Sequence, residues 1–231
     1  MLWLETQFLN SFDVVLSCSE EDKQRLDRQQ HRAKIVVIPN CVPLPEKATH
    51  VSDDQDEINI LFVGAMRYLP NKDAVIWFVE NILPKIKEKS LRPLSVTLVG
   101  FDPDQQVRDL GNTPGVTVTG GVDSVEPYFG KCHFFISPIR FGGGTRIKIL
   151  EAMSYGKAVV STTVGVEGIA VVNDHEIILA DDEEQFAAAC LDLMNDAGRR
   201  NNIGVKARDV IKREYTLNAI VGKMSDAFLN S

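Results

Sequence analysis

From residue 58 onward, short apolar runs alternate with longer segments whose apolar residues recur every three to four positions. The short runs lie near 58–63, 94–100, 116–119, 132–137, 157–161 and 176–179 and predict strands. The longer segments, near 72–89, 104–110, 124–130, 145–155 and from 183 to the end, predict helices. Strands separated by helices imply crossover connections, and so an α/β fold with a parallel sheet covered by helices on both faces. Such Rossmann-like sheets bind ligands at the carboxyl ends of their strands. Gly64, Gly100, Gly120, Gly121 and the run Gly142–Gly144 all fall at those ends.

The first forty residues read as a separate piece. Apolar residues at 2, 4, 8, 9 and 12 form a helical stripe, Asp13–Ser17 predicts a strand, and Ser19 followed by Glu20, Glu21 and Asp22 opens a helix. Lys34–Ile38 predicts another strand. The proline-rich and then acidic stretch to Glu57 resembles a linker more than a packed element. The boundaries drawn are therefore 1–40, a linker at 41–57, and a main domain at 58–231.

The segment with the most chemistry runs from Pro138 to Gly156. It follows a strand, passes through Gly142, Gly143 and Gly144, and enters a helix with apolar residues at 147, 149, 150 and 153. A glycine turn lets backbone approach a ligand, and the free N–H groups at the start of a helix favour phosphate. Arg140, Arg146 and Lys148 set cations around the turn as candidate diphosphate partners; Lys148, one turn from the glycines, ranks first, Arg140 second, and Arg146 is either a further phosphate partner or a surface residue. Thr145 suits a helix cap or a phosphate donor. Glu151, two turns in, is placed to accept hydrogen bonds from a vicinal diol such as a ribose.

Composition narrows the classes. With 231 residues, 44% of them hydrophobic, the chain has material for one large α/β core. Its formal charge of −7 argues against a nucleic-acid surface. Cys18, Cys41, Cys132 and Cys190 are scattered without the spacing of a zinc site and read as buried thiols of a reducing compartment. The N-terminus lacks the features of a signal peptide and no apolar run approaches the length of a membrane span, so a cytoplasmic protein is expected. His133 lies inside a strand-like run and reads as a core histidine.

The 138–156 segment resembles the donor-site signature of the group 1 glycosyltransferases, especially the variant Gly-Gly-Thr-Arg-x-Lys-x-x-Glu-Ala-Met. Ile38-Pro39-Asn40, Leu61–Gly64, Leu98–Gly100, Val118–Gly120 and Gly165–Gly168 are similar to further family pieces, in family order. The resemblance implies the C-terminal half of a two-domain GT-B enzyme that moves a sugar from a nucleotide-diphosphate donor to a glycan or lipid-linked acceptor with retention of configuration. It implies the ribose on Glu151, the diphosphate at Gly142–Thr145 with Lys148 and Arg140, the base at Gly121 and Val122, and a donor contact at Gly64. In relatives an Arg follows that glycine and a Lys comes soon after; here Ala65 and Pro70 stand there, leaving Arg67 and Lys72 as displaced substitutes. The first Glu of the family's pair falls at Gly143 and is missing, so the catalytic residue and the sugar are left open.

The resemblance further implies metal-independent chemistry with no cofactor besides the sugar nucleotide as substrate. Acceptor binding would belong to an N-terminal domain of which residues 1–40 are a remnant, and the full enzyme would associate peripherally with a membrane. Two alternatives stay open, a sugar-nucleotide-binding module that works with a partner chain and a GT-B-type nucleotide-sugar epimerase.

Overall fold

The computed structural model describes residues 9–49, 51 and 57–229, with side chains described to residue 225. The helical stripe expected over 2–12 lies almost wholly outside these residues. The first unit is a strand–helix–strand piece: β1 (Val14–Ser17), α1 (Glu20–Asp27) and β2 (Lys34–Val37), with β1 and β2 parallel and in register from Val14 against Lys34. Ser19 caps α1, its Oγ accepting from the Asp22 amide at 3.1 Å. Leu9, Ala33 and Ile35 form a small core beneath it, while Phe12 and Leu16 remain exposed.

The described residues after β2, 38–49, have no regular structure, yet they pack against the main domain. Val42 is buried and donates its amide to the Tyr215 carbonyl at 2.9 Å; Thr49 does the same to the Tyr155 carbonyl at 2.9 Å. The Arg208 guanidinium fixes Pro45 from below by donating to its carbonyl and to that of Ser154. Backbone groups within residues 42–49 thus find partners on the main domain.

The main domain continues with β3 (Ile58–Val63), α2 (Leu69–Trp77), α3 (Leu83–Lys89), β4 (Leu94–Val99), α4 (Gln105–Asp109), β5 (Val116–Gly120), α5 (Glu126–Lys131) and β6 (Phe134–Ser137). It is completed by α6 (Ile147–Ser154), β7 (Ala158–Ser161), β8 (Ile178–Leu179), α7 (Glu183–Asn195), α8 (Ala197–Val210) and α9 (Leu217–Leu229). A π-helical turn at Phe78–Ile82 joins α2 to α3. Pro84 explains it: a proline lacks the N–H of a regular helix and its ring collides with the carbonyl four residues back, and a wider turn absorbs the misfit.

All strand pairs in the six-stranded sheet are parallel, in the order β5-β4-β3-β6-β7-β8. Strand order reverses between β3 and β6, and a crevice at that switch point is where doubly wound sheets hold ligands. Alternate residues of the central strands serve two cores. Ile60, Phe62, Phe134 and Ile136 face α2, α3 and α7, while Leu61, Phe135 and Val159 face Ile149, Leu150 and Met153 of α6 and Ala207 of α8. Each fully buried aromatic or aliphatic side chain contributes about 1.5–3 kcal/mol, so the two cores fix the strand ends firmly.

The helical cover stops short over β4 and β5. Thr97, Thr117 and Thr119 line an open groove of about 650 Å³ with Asn59 and Tyr128. The connection from β5 to β6 contains only the six-residue α5, too short to reach across both strands. These strands accordingly alternate polar and apolar residues, whereas β3, β6 and β7 are nearly all apolar.

Candidate donor-binding site

The loops leaving β3 and β6 meet above the switch point. Gly64 follows β3 directly, and Gly100 follows β4 so closely beside it that a Cβ on Gly100 would sit 1.8 Å from the Gly64 oxygen. Only two bare backbones can pass at that distance. Pro70, at the start of α2, packs under Gly142, where a Cβ would lie 2.8 Å from the proline ring. Gly142 and Gly144 have φ of 102° and 84°, left-handed values that exclude most side chains, and they bracket Gly143 in an open turn. No atom lies within 4 Å of where a Cβ on Gly143 or Gly144 would be. The helix begins two residues later than the sequence pattern suggests, at Ile147, because Arg146 keeps a non-helical ψ of 84°.

Two cations lie beneath this turn. Lys148 reaches back across the strand ends so that its Nζ donates to Asn71 Oδ1 and lies 4.5 Å above the Phe62 ring centroid. A Cβ at Gly64 would meet both partners, Asn71 Nδ2 at 2.7 Å and Lys148 Nζ at 3.0 Å. Burial, followed by the charge of Arg146, pushes the Lys148 pKa down to about 7. Asn71 is itself held, donating Nδ2 to the Ala65 carbonyl at 2.9 Å.

Arg146 is only 7% exposed. It donates to the Gly143 carbonyl at 2.7 Å and to the Gly142 carbonyl at 2.6 Å, while its Nε has no partner. Of the two readings of Arg146, phosphate partner and surface residue, the second is corrected: the guanidinium turns inward because the carbonyls of the glycine turn need donors. Thr145 Oγ1 is likewise buried without a partner and lies by the Gly168 turn and Ser19 of the first unit. Glu151 is partly buried one turn beyond Lys148, and desolvation raises its pKa.

Other residues singled out in the sequence lie elsewhere. Arg140 is held by a bidentate pair with Asp73, at 2.9 and 2.6 Å, and its guanidinium lies 5.0 Å over the Trp77 ring. That commitment directs it to α2, not to the glycine turn. Arg67 pairs with Asp102 at 2.5 Å and Lys72 with Asp104 at 2.5 Å. The spacing Asp102-Pro103-Asp104 is of the kind that holds metals in other proteins, but here both carboxylates are paired and Asp104 also caps α4. Among the described residues no cluster of three His, Cys, Asp or Glu is placed to hold a metal. Gly121 is exposed beside the Phe101 ring at the mouth of a groove of about 840 Å³ along β5, and Val122 packs against the core behind it. His133 is a core histidine, its Nδ1 accepting from the Asn59 amide at 3.0 Å.

Asn71 is the site residue that the sequence reading missed: it stands beside Lys72 and Asp73 at the polar start of α2, where no local pattern marks it.

The family model "Glycosyl transferases group 1" matches residues 57–196, more than half of the chain, and spans every element of this site. The chain belongs to the group 1 glycosyltransferases. Among curated relatives, an "Uncharacterized 44.6 kDa protein in cps region" of Klebsiella pneumoniae is 24% identical over 215 residues, 89% of this chain and 53% of that protein. The chain thus spans about half the length of the curated relative it matches. Among solved structures, a mutant of S. aureus TarM in complex with Fondaparinux, alpha-GlcNAc-glycerol and UDP superposes with a TM-score of 0.81 at 18% identity, over 100% of this chain and 46% of that one. HepE of Anabaena in complex with UDP and glucose gives 0.78 at 16%, over 100% and 66%. The sucrose-phosphate synthase of Thermosynechococcus elongatus gives 0.77 at 19%, over 99% and 61%. At these identities the likeness is one of fold, a Rossmann-like GT-B domain. No helix among the described residues is long and apolar enough to cross a membrane.

Proposed function

We propose that this chain is the donor-binding half of a glycosyltransferase that moves a sugar from a nucleotide-diphosphate donor to a glycan or lipid-linked acceptor, with retention at the anomeric carbon. The observation that carries the reading is the convergence of Lys148, Asn71, Gly64 and the Gly142–Thr145 turn at the point where strand order reverses. A buried ammonium whose pKa is lowered by burial and a neighbouring guanidinium is poised to gain from an arriving dianion. The diphosphate lies against the turn, the ribose diol on Glu151, and the base toward Gly121 and Val122. When the sugar–phosphate bond breaks, charge accumulates on the departing diphosphate, and Lys148, Arg146 and the turn amides stabilise it without reorganising.

Acceptor recognition belongs to a part of the protein that this chain does not supply, reached across the exposed face of the β1–β2 unit. The uncovered Phe12 and Leu16 on that unit support this. The cps-region relative supports a role in polysaccharide biosynthesis. On this reading the protein works in the cytoplasm, where four free thiols persist; Cys132 and Cys190 are buried as expected, whereas Cys18 and Cys41 are exposed, which corrects that expectation for these two.

A sugar-nucleotide-binding module acting with a partner chain is the second reading, which the exposed Phe12 and Leu16 of the β1–β2 unit also support. A transfer assay, run with this chain alone and with an acceptor-binding half supplied, separates the two. Turnover by the chain alone would eliminate the module. Stereochemical exchange of the donor sugar with no acceptor present would overturn both in favour of an epimerase.

A further inference from the structure

We infer that Arg146 is the positioning residue of the donor site: its guanidinium fork grips the carbonyls of Gly142 and Gly143 and thereby aims the amides of the glycine turn at the bound diphosphate. The inference rests on the donor-site reading above. In a trans peptide the carbonyl and the N–H of the next residue point in opposite directions. Holding the Gly142 and Gly143 oxygens at 2.6 and 2.7 Å on the Arg146 side therefore turns the amides of Gly143 and Gly144 away from it. Both glycines are exposed, and a Cβ on either would meet nothing within 4 Å beyond its chain neighbours, so the turn has open space beside it for a ligand. Left-handed glycines on both sides of Gly143 give the alternation that forms an anion-binding nest of successive N–H groups.

Arg146 has an unusual environment for a residue serving stability alone. Both of its described bonds end on neutral carbonyls, and its Nε is buried without a partner. A guanidinium taken out of water without a counter-charge is costly. A diphosphate settling on the other side of the turn supplies that charge. A lysine at this position would keep the charge but lose the planar fork that matches two successive carbonyls.

The test compares Arg146→Lys and Arg146→Met with the unaltered chain, measuring uridine diphosphate, guanosine diphosphate and the two monophosphates by calorimetry. Backbone order parameters of residues 142–145 are measured without ligand. We expect both variants to lose about 10- to 100-fold in affinity for the preferred diphosphate, the range for losing hydrogen bonds to a charged group. The monophosphate should change far less, so that the preference for diphosphate collapses. The order parameters should fall toward those of a flexible loop, below about 0.6. Full retention of diphosphate preference in Arg146→Lys would show that charge alone matters and overturn the positioning role. Equal losses for mono- and diphosphate with an unchanged turn would also overturn it, pointing to general destabilisation. An unaltered chain that binds none of the four nucleotides would remove the donor-site reading itself, and this inference with it.

Discussion

The ammonium of Lys148 and the side-chain oxygen of Asn71 meet across the top of the sheet, joining the helix that follows β6 to the helix that follows β3. This contact bridges the two halves of the fold at its switch point. It also gives Lys148 a neutral partner, so burial and the Arg146 charge can lower its pKa to about 7. A ligand diphosphate would reverse that shift by favouring the protonated form.

Proton uptake on binding follows. Above pH 7 much of the free protein carries neutral Lys148, so diphosphate binding should draw in a proton and weaken as pH rises. Calorimetry in buffers of different ionisation enthalpy should report this uptake, and Lys148→Met should abolish it. The same depressed pKa affects folding. The folded chain binds fewer protons than the unfolded chain between about pH 7 and the ordinary lysine value. Stability from this residue should therefore rise with pH through that window, and the rise should vanish in Lys148→Met.

Glu151→Gln should weaken nucleotide binding by about 1–3 kcal/mol, the range for a hydrogen bond to a charged group, while leaving the melting temperature near that of the unaltered chain. A 2′,3′-dideoxy nucleotide, with no diol to offer, should lose far less. Equal losses would mean that Glu151 supports the site indirectly.

Arg140→Ala should change diphosphate affinity by less than about twofold, since the guanidinium is engaged by Asp73 and Trp77. The pair is partly exposed, and stability should fall by no more than about 1 kcal/mol. A large loss of affinity on titration would return Arg140 to the phosphate site.

Two glycines at the same sheet end should respond in opposite ways. Gly100→Ala forces a methyl group into the Gly64 backbone and should cost about 3 kcal/mol or more, read by denaturant unfolding. Gly143→Ala enters open space and should change stability by less than about 0.5 kcal/mol.

The sheet was legible in the sequence because β3, β6 and β7 are short, nearly all-apolar runs, and each strand lies within a residue or two of its predicted limits. The glycine turn and Lys148 were legible for the same reason, being adjacent in the chain to a strand end. Arg146 was not, because a charged residue reads as solvent-facing until the carbonyls that claim it are known. The pairing of Arg140 was not legible either. Its partner Asp73 lies 67 residues earlier, and no local pattern announces that pair. The packing of residues 42–49 escaped notice because it depends on backbone bonds to Tyr155 and Tyr215, which composition does not encode.

The central claim is that a diphosphate site exists at the Gly142–Thr145 turn with Lys148 beneath it. Titration of the intact chain with uridine and guanosine di- and monophosphates tests it most directly. For the base that binds, the diphosphate should be at least about tenfold tighter than the monophosphate, as expected for one added charge-assisted contact, and Lys148→Met should erase the difference. Equal affinity for the two, or a difference that survives in Lys148→Met, would contradict the account.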